Sequence, residues 1–192
     1  MKNMIIVLSG PSGAGKGTIY SEILKKRNDV YRYVSMTTRT PRAEEINGKD
    51  YNFVTIEEFK KMEEAGVFFE TNLYNGNYYG TPIPSLMEFE GKDLFFDLNA
   101  EGGIKIKERY PSTILFYIMP PDLEQLKKQL GNRDPKRIDI AKSEIDLASK
   151  FDWLIINQNP EKAADEIMAI IELIRNSGLI NSWNKEFIKK FY

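Results

Sequence analysis

Lys16 closes a glycine-rich stretch, "GPSGAGKGT", that follows the apolar run "MIIVLS" and precedes the charged, helix-forming "SEILKKR". Gly10, Pro11, Ser12, Gly13, Ala14, Gly15 and Lys16 fit the spacing G-x-x-x-x-G-K between a strand and a helix. Glycines let consecutive backbone N–H groups turn inward around phosphate oxygens. The start of the helix adds partial positive charge, and the lysine reaches the phosphoryl group that moves. The chemistry implied is the binding of a nucleoside triphosphate. Gly17 stands where Ser or Thr usually follows the lysine and Thr18 comes next, so Mg2+ is expected to be held mainly by phosphates and water. A second run, "DLFFDL", ends an apolar strand on Asp97, the kind of carboxylate that positions Mg2+ through water.

A second constellation lies in "SMTTRTPRAEEINGKDYNF" and "FFETNLYNGNYYGT". Arg39 and Arg42 are three apart at the end of an extended, proline-containing segment, with Tyr51 and Tyr79 in the same predicted unit. Two guanidiniums and two phenolic hydroxyls converging on a point suit one compact dianion, such as a monophosphate.

Composition narrows the chemistry. The 192-residue chain contains no histidine and no cysteine, which removes imidazole acid–base work, thiolate nucleophiles and disulfides. Catalysis must run on Asp, Glu, Lys, Arg, Tyr, Ser, Thr and a bound cofactor. A formal net charge of -1 offers no global field for a nucleic-acid backbone, and no segment approaches the apolar length of a membrane span, so neither partner is expected. The opening residues read as a buried strand, and a cytoplasmic protein is expected.

The elements that must position these residues follow a βα rhythm. Continuous apolar runs at 4–9, 93–98, 113–119 and 153–157 suit strands covered on both faces, and helical patterns fall at 18–27, 102–108, 123–130, 141–148 and 161–175. The expected fold class is α/β, a doubly wound parallel sheet of P-loop NTPase type. From residue 35 the rhythm breaks into a Tyr-, Thr- and Gly-rich stretch with alternating patterns and the short helical "IEEFKKMEEAG". It is expected to form an inserted, mostly antiparallel subdomain that carries polar side chains into a cleft.

The motifs "GPSGAGKGT", "S.TTR.PR..E..G.DY.F", "E.....GNYYGT" and "YIMPP", in that order, resemble guanylate kinase over residues 4 to about 157. The resemblance implies ATP-dependent phosphorylation of GMP, with Mg2+ as cofactor, by a monomer or homodimer. It divides the chain into a core (1–34, 84–124, 150–192), a GMP-binding subdomain (35–83) and a lid (125–149). Arg39, Arg42, Tyr51 and Tyr79 would hold the GMP phosphate, Ser35, Glu70 and Thr81 would face guanine, and Asp97 and Asn99 would lie at the same site. Asn157 would lie near the ATP adenine, and Arg133 and Arg137 would join Lys16 and Arg39 in catalysis. The sequence departs from the family at Gln129, where an arginine is usual, at "GNRDPKR", which shortens the lid, and at Asn99, which replaces an Asp. Two other readings stay open: a non-catalytic domain that binds a phosphorylated partner, and a kinase of another nucleoside monophosphate.

Overall fold

The computed structural model describes residues 4–11, 13–74, 76–85, 89–121 and 147–177. Two sheets share the chain. In the first, strands β1 (Ile5–Ser9), β2 (Val30–Tyr33), β7 (Asp93–Asp97), β8 (Ile114–Met119) and β9 (Trp153–Ile156) run parallel in the order β2-β7-β1-β8-β9. β1 lies at its centre and is buried along its whole length, as an uninterrupted aliphatic run requires. Helices α1 (Lys16–Lys26) and α4 (Pro160–Ser177) cover one face, where Ile19, Ile23, Ile167 and Ile171 pack on Ile6, Leu8, Phe95 and Phe116. Helix α3 (Ala100–Arg109) covers the other, with Ile106 against Val7, Leu115 and Phe96. The architecture is the expected doubly wound α/β sheet.

β2 was not among the four expected core strands. It is an edge strand in which only Val30 is fully buried, so "VYRY" carries none of the continuous apolar signal that marks strands covered on both sides. α3 also begins two residues before the helical pattern, because the Asn99 side chain accepts from the Gly102 N–H at 2.9 Å and caps it. Of the expected helix at 141–148, residues 147 and 148 open a 3-10 turn, Leu147–Lys150; the remainder and the helix at 123–130 lie outside the described residues.

The inserted stretch forms the second sheet, of β3 (Met36–Thr37), β4 (Asn52–Phe53), β5 (Phe68–Tyr74) and β6 (Asn77–Pro82), in the order β4-β3-β6-β5. It is mixed: β5–β6 and β3–β6 are antiparallel, whereas β3–β4 is parallel. Helix α2 (Ile56–Glu64) is locked at its start by a reciprocal capping box between Thr55 and Glu58. It seats the fully buried Phe59 on this sheet, stacked on Phe68 at 4.6 Å and Tyr78 at 5.4 Å between centroids. The stack rests on Gly80, where a Cβ would come within 3.0 Å of both phenyl rings. No helix among the described residues is long and apolar enough to cross a membrane.

Candidate active site

The phosphate-binding loop leaves the carboxyl end of β1 and enters α1. Gly10 and Gly15 both have positive φ, 136° and 86°, and both are sterically required. A Cβ on Gly10 would fall 2.1 Å from the Ile118 carbonyl oxygen, and one on Gly15 would fall 2.4 Å from Asn157 Nδ2. α1 starts without a side-chain cap and with no acid in its first turn, so its N-terminal partial charge is left for an anion. The Lys16 ammonium folds back over the loop and donates to the carbonyls of Gly10 (2.7 Å) and Pro11 (3.4 Å). It also lies 3.9 Å from Asp97 Oδ1, because β7 neighbours β1 and the register sets Asp97 opposite Leu8.

The other wall comes from the mixed sheet. Glu70 and Thr81 are cross-strand partners on β5 and β6, and Thr81 Oγ1 lies 3.4 Å from Glu70 Oε1 and 3.1 Å from Ser35 Oγ. Three residues spread over 46 positions of sequence thus form one polar chain. Burial pushes the Glu70 carboxyl above its ordinary value, with Lys105 and Thr81 offsetting part of that effect. The carboxylate lies over the start of α3: a Cβ on Gly102 would meet both Glu70 Oε1, at 3.2 Å, and Asn99 Oδ1, at 2.9 Å. Asn99 therefore stands beside Glu70 with its carbonyl oxygen already engaged as the α3 cap.

Arg39, Tyr51 and Tyr79 also come together. The rings of Tyr51 and Tyr79 meet edge to face at 6.0 Å, and the Arg39 guanidinium lies 5.6 Å from the Tyr51 centroid and 5.7 Å from that of Phe53. Its fork is gripped by Glu45, a residue that the sequence reading did not assign: Nη1 and Nη2 donate to the two carboxylate oxygens at 2.9 and 2.8 Å. The Arg42 backbone N–H donates to the same carboxylate at 2.8 Å, while the Arg42 side chain is exposed. Arg39 and the Arg42 backbone hold the Glu45 carboxyl down to about 2, so the pair stays ionised throughout the working pH range. The signal for Glu45 was present as the acid in "R.PR..E", but spacing alone did not reveal which arginine it serves.

The two walls face one cleft. Burial pushes the Tyr51 hydroxyl upward, and that hydroxyl lies within the field of Asp97 and Arg32 from the parallel sheet as well as Tyr79 and Arg39 from its own. Gly17 is exposed, with open space where a Cβ would stand, and Thr18 is exposed one position on. Among the described residues no group of three or more acidic side chains gathers to hold a metal directly. Asp97, at the end of β7, is the carboxylate that lies within ion-pair distance of Lys16. Ser12, Gln129, Arg133 and Arg137 lie outside the described residues.

A family model of guanylate kinase matches residues 2–173. The chain belongs to the guanylate kinase family. The guanylate kinase of Lactococcus lactis subsp. lactis is 40% identical over 180 residues, which cover 89% of this chain and 88% of that one. That of Caldanaerobacter subterraneus subsp. tengcongensis is 37% identical over 179 residues, 88% of this chain and 87% of that one. The crystal structure of guanylate kinase from Anaplasma phagocytophilum superposes with a TM-score of 0.76 at 28% identity, covering 98% of this chain and 92% of the other.

Within this guanylate kinase fold Asn157 stands beneath the phosphate-binding loop. At the end of β9 its Nδ2 donates to the Ala14 carbonyl at 2.8 Å, while its backbone N–H bonds Met119. The side chain is buried and ties the end of β9 to the loop at the Ala14 carbonyl. Asn157→Ala is expected to raise KM for ATP about tenfold, with KM for the acceptor nearly unchanged, because losing a buried bond of about 1–2 kcal/mol loosens the loop alone. Steady-state titration of each substrate checks the split.

Proposed function

We propose that this chain transfers the γ-phosphoryl group of ATP to GMP, giving ADP and GDP, with Mg2+ as the metal. The observation that carries the reading is the pairing, across one cleft, of a phosphate-binding loop with a desolvated carboxylate at the end of a chain of two hydroxyls. In this reading Gly10 to Thr18 bind the ATP phosphates. Arg39, Arg42, Tyr51 and Tyr79 take the acceptor phosphate, and Glu70, Ser35 and Thr81 take the base.

Glu70 explains the choice of base. Guanine presents N1–H and the 2-amino group side by side, two donors that one carboxylate accepts together, while Ser35 and Thr81 hydroxyls suit its O6. Adenine places an acceptor at N1 and has no 2-amino group, so it would leave Glu70 buried and unpaired. Pockets built on such bonds reject the wrong substrate by roughly 10⁴-fold or more.

The reaction needs no histidine or cysteine. An oxygen of the GMP phosphate dianion attacks the γ-phosphorus in line. The bond from that phosphorus to the β–γ bridging oxygen breaks, its electron pair leaves with ADP, and no proton has to move. Lys16 exchanges its two loop carbonyls for phosphate oxygens and follows the charge as it shifts, while Arg39, already oriented by Glu45, holds the nucleophile. Asp97 and Thr18 are the residues that would hold Mg2+, through water, and the ion would supply neutralisation of the phosphate charge. Closure of residues 35–83 toward the core would exclude water as a competing acceptor.

The test is ADP release from ATP and Mg2+ with GMP, AMP, UMP or no acceptor. Turnover that depends on GMP and exceeds that with AMP by at least about 10³ in kcat/KM is expected. Equal turnover with AMP or UMP would place the chain among kinases of another monophosphate, and no turnover beside tight GMP binding would favour the non-catalytic reading.

A further inference from the structure

Arg32 is absent from the constellations that the sequence pointed to. It is the third residue of β2, on the strand face that carries the buried Val30, and pairs with Phe95 in register. Two residues beyond Phe95 on the same face of β7 stands Asp97, so the edge strand delivers a guanidinium to the carboxyl ends of the parallel strands. Its Nη2 lies 3.9 Å from Asp97 Oδ2, and Lys16 lies 3.9 Å from the other oxygen of the same carboxylate. Both separations are ion pairs too long for a direct hydrogen bond. One carboxylate between two cations leaves an excess positive charge.

The guanidinium is supported on one side by an aromatic ring. It sits 5.6 Å from the centroid of Tyr20, a ring buried against the sheet, and its side chain is 30% exposed. The ring face is a platform for the cation. Arg32, Tyr20, Lys16, Gly17, Phe96 and Asp97 line one pocket beside the phosphate-binding loop. Arg32 also acts electrostatically on Tyr51 of the opposite wall. The group thus stands beside the loop and shares its pocket with Lys16, where the transferable phosphate of a bound triphosphate would lie.

We propose that Arg32 is a further catalytic residue, whose guanidinium contacts the phosphoryl group in transfer from the β2 side of the cleft while Lys16 contacts it from the α1 side. The proposal rests on the phosphoryl-transfer reading above. Five fixed donors on a planar cation match the three spread oxygens of a loose transition state, and a supported guanidinium does not have to reorganise to meet them.

The test compares wild type, Arg32→Ala and Arg32→Lys at saturating ATP, GMP and Mg2+. Arg32→Ala is expected to lose about 10²-fold in kcat with its Tm within a few degrees of wild type. Arg32→Lys should recover only part of the rate, and free guanidinium ion at millimolar concentration should restore part of the Ala variant's turnover. Should Arg32→Ala fail to fold, Arg32→Gln, which keeps the first carbons of the stem and a polar end and loses the charge, is expected to show the same loss. An unchanged kcat in a folded variant would overturn the proposal. So would a loss that disappears on raising Mg2+, since Arg32 would then act only by steadying Asp97. A wild type without GMP-dependent turnover contradicts the parent reading and this one with it, whereas an active wild type with an equally fast Arg32→Ala contradicts this one alone.

Discussion

Lys16→Met is expected to lower kcat by about 10²–10³-fold while leaving KM for GMP nearly unchanged. The methionine keeps the length and most of the volume of the lysine stem and removes the ammonium, with its charge and its N–H donors. In the free protein the ammonium rests on the carbonyls of Gly10 and Pro11, so it is already at the mouth of the loop and needs only a short swing to follow a phosphoryl group. Its loss is felt where negative charge develops, not where the acceptor binds. Lys16 lies on the α1 side of the cleft, whereas the residues proposed for GMP belong mainly to the mixed sheet and its approaches. Full steady-state kinetics with each substrate varied, beside a melting curve, checks the claim. A variant that loses GMP affinity as severely as rate would contradict this division of labour.

Glu70→Gln carries the second large effect, on selectivity and on stability in opposite directions. kcat/KM for GMP is expected to fall about 10²-fold, because a neutral amide accepts from only one of guanine's two donors and turns its own N–H₂ toward the other. AMP turnover should rise, since that amide can donate to adenine N1. Stability should move the other way. Burial raises the folded-state pKa of Glu70 above its unfolded value, so the folded protein takes up the proton first. Folding is therefore favoured as pH falls through that raised value and penalised above it, and glutamine removes the penalty at neutral pH. The Tm of Glu70→Gln should exceed that of wild type at pH 7 and lose this advantage in acid. Because GMP requires the ionised carboxylate, the wild-type kcat/KM for GMP should also decline on the acid side at a higher pH than an ordinary glutamate would dictate. The variant's profile should lack that limb. Melting curves and acceptor kinetics across pH read both halves.

These expectations separate what the chain declares from what only its folding discloses. β1, β7, β8 and β9 were legible because each is a continuous apolar run, and the phosphate-binding loop because its glycines answer a backbone demand that acts within a few residues. β2 was not legible, since an edge strand that exposes Tyr31 and points Arg32 into a cleft lacks the signal of burial on both faces. In the site, Ser35, Thr81 and Glu70 form one polar chain and Arg39, Tyr51 and Tyr79 one cluster, with the Arg42 side chain exposed, and their roles toward GMP are the proposal above. Other partnerships were hidden for physical reasons. Asn157 reaches Ala14 across 143 positions, a pairing that no local pattern encodes. Glu45 lies in plain view among three acids and two arginines, yet only side-chain geometry assigns both of its oxygens to Arg39. The role of Asn99 as a helix cap was masked because the helical pattern of α3 becomes evident only after Gly102.

The most direct measurement of the central claim is a single-turnover experiment with enzyme in excess over γ-³²P-labelled ATP, quenched in the presence of Mg2+ and GMP and resolved by nucleotide. The account predicts that the label passes to GDP with little released as inorganic phosphate, and that replacing GMP by AMP leaves the label on ATP. Label appearing mainly as inorganic phosphate, or passing to AMP as fast as to GMP, would contradict it.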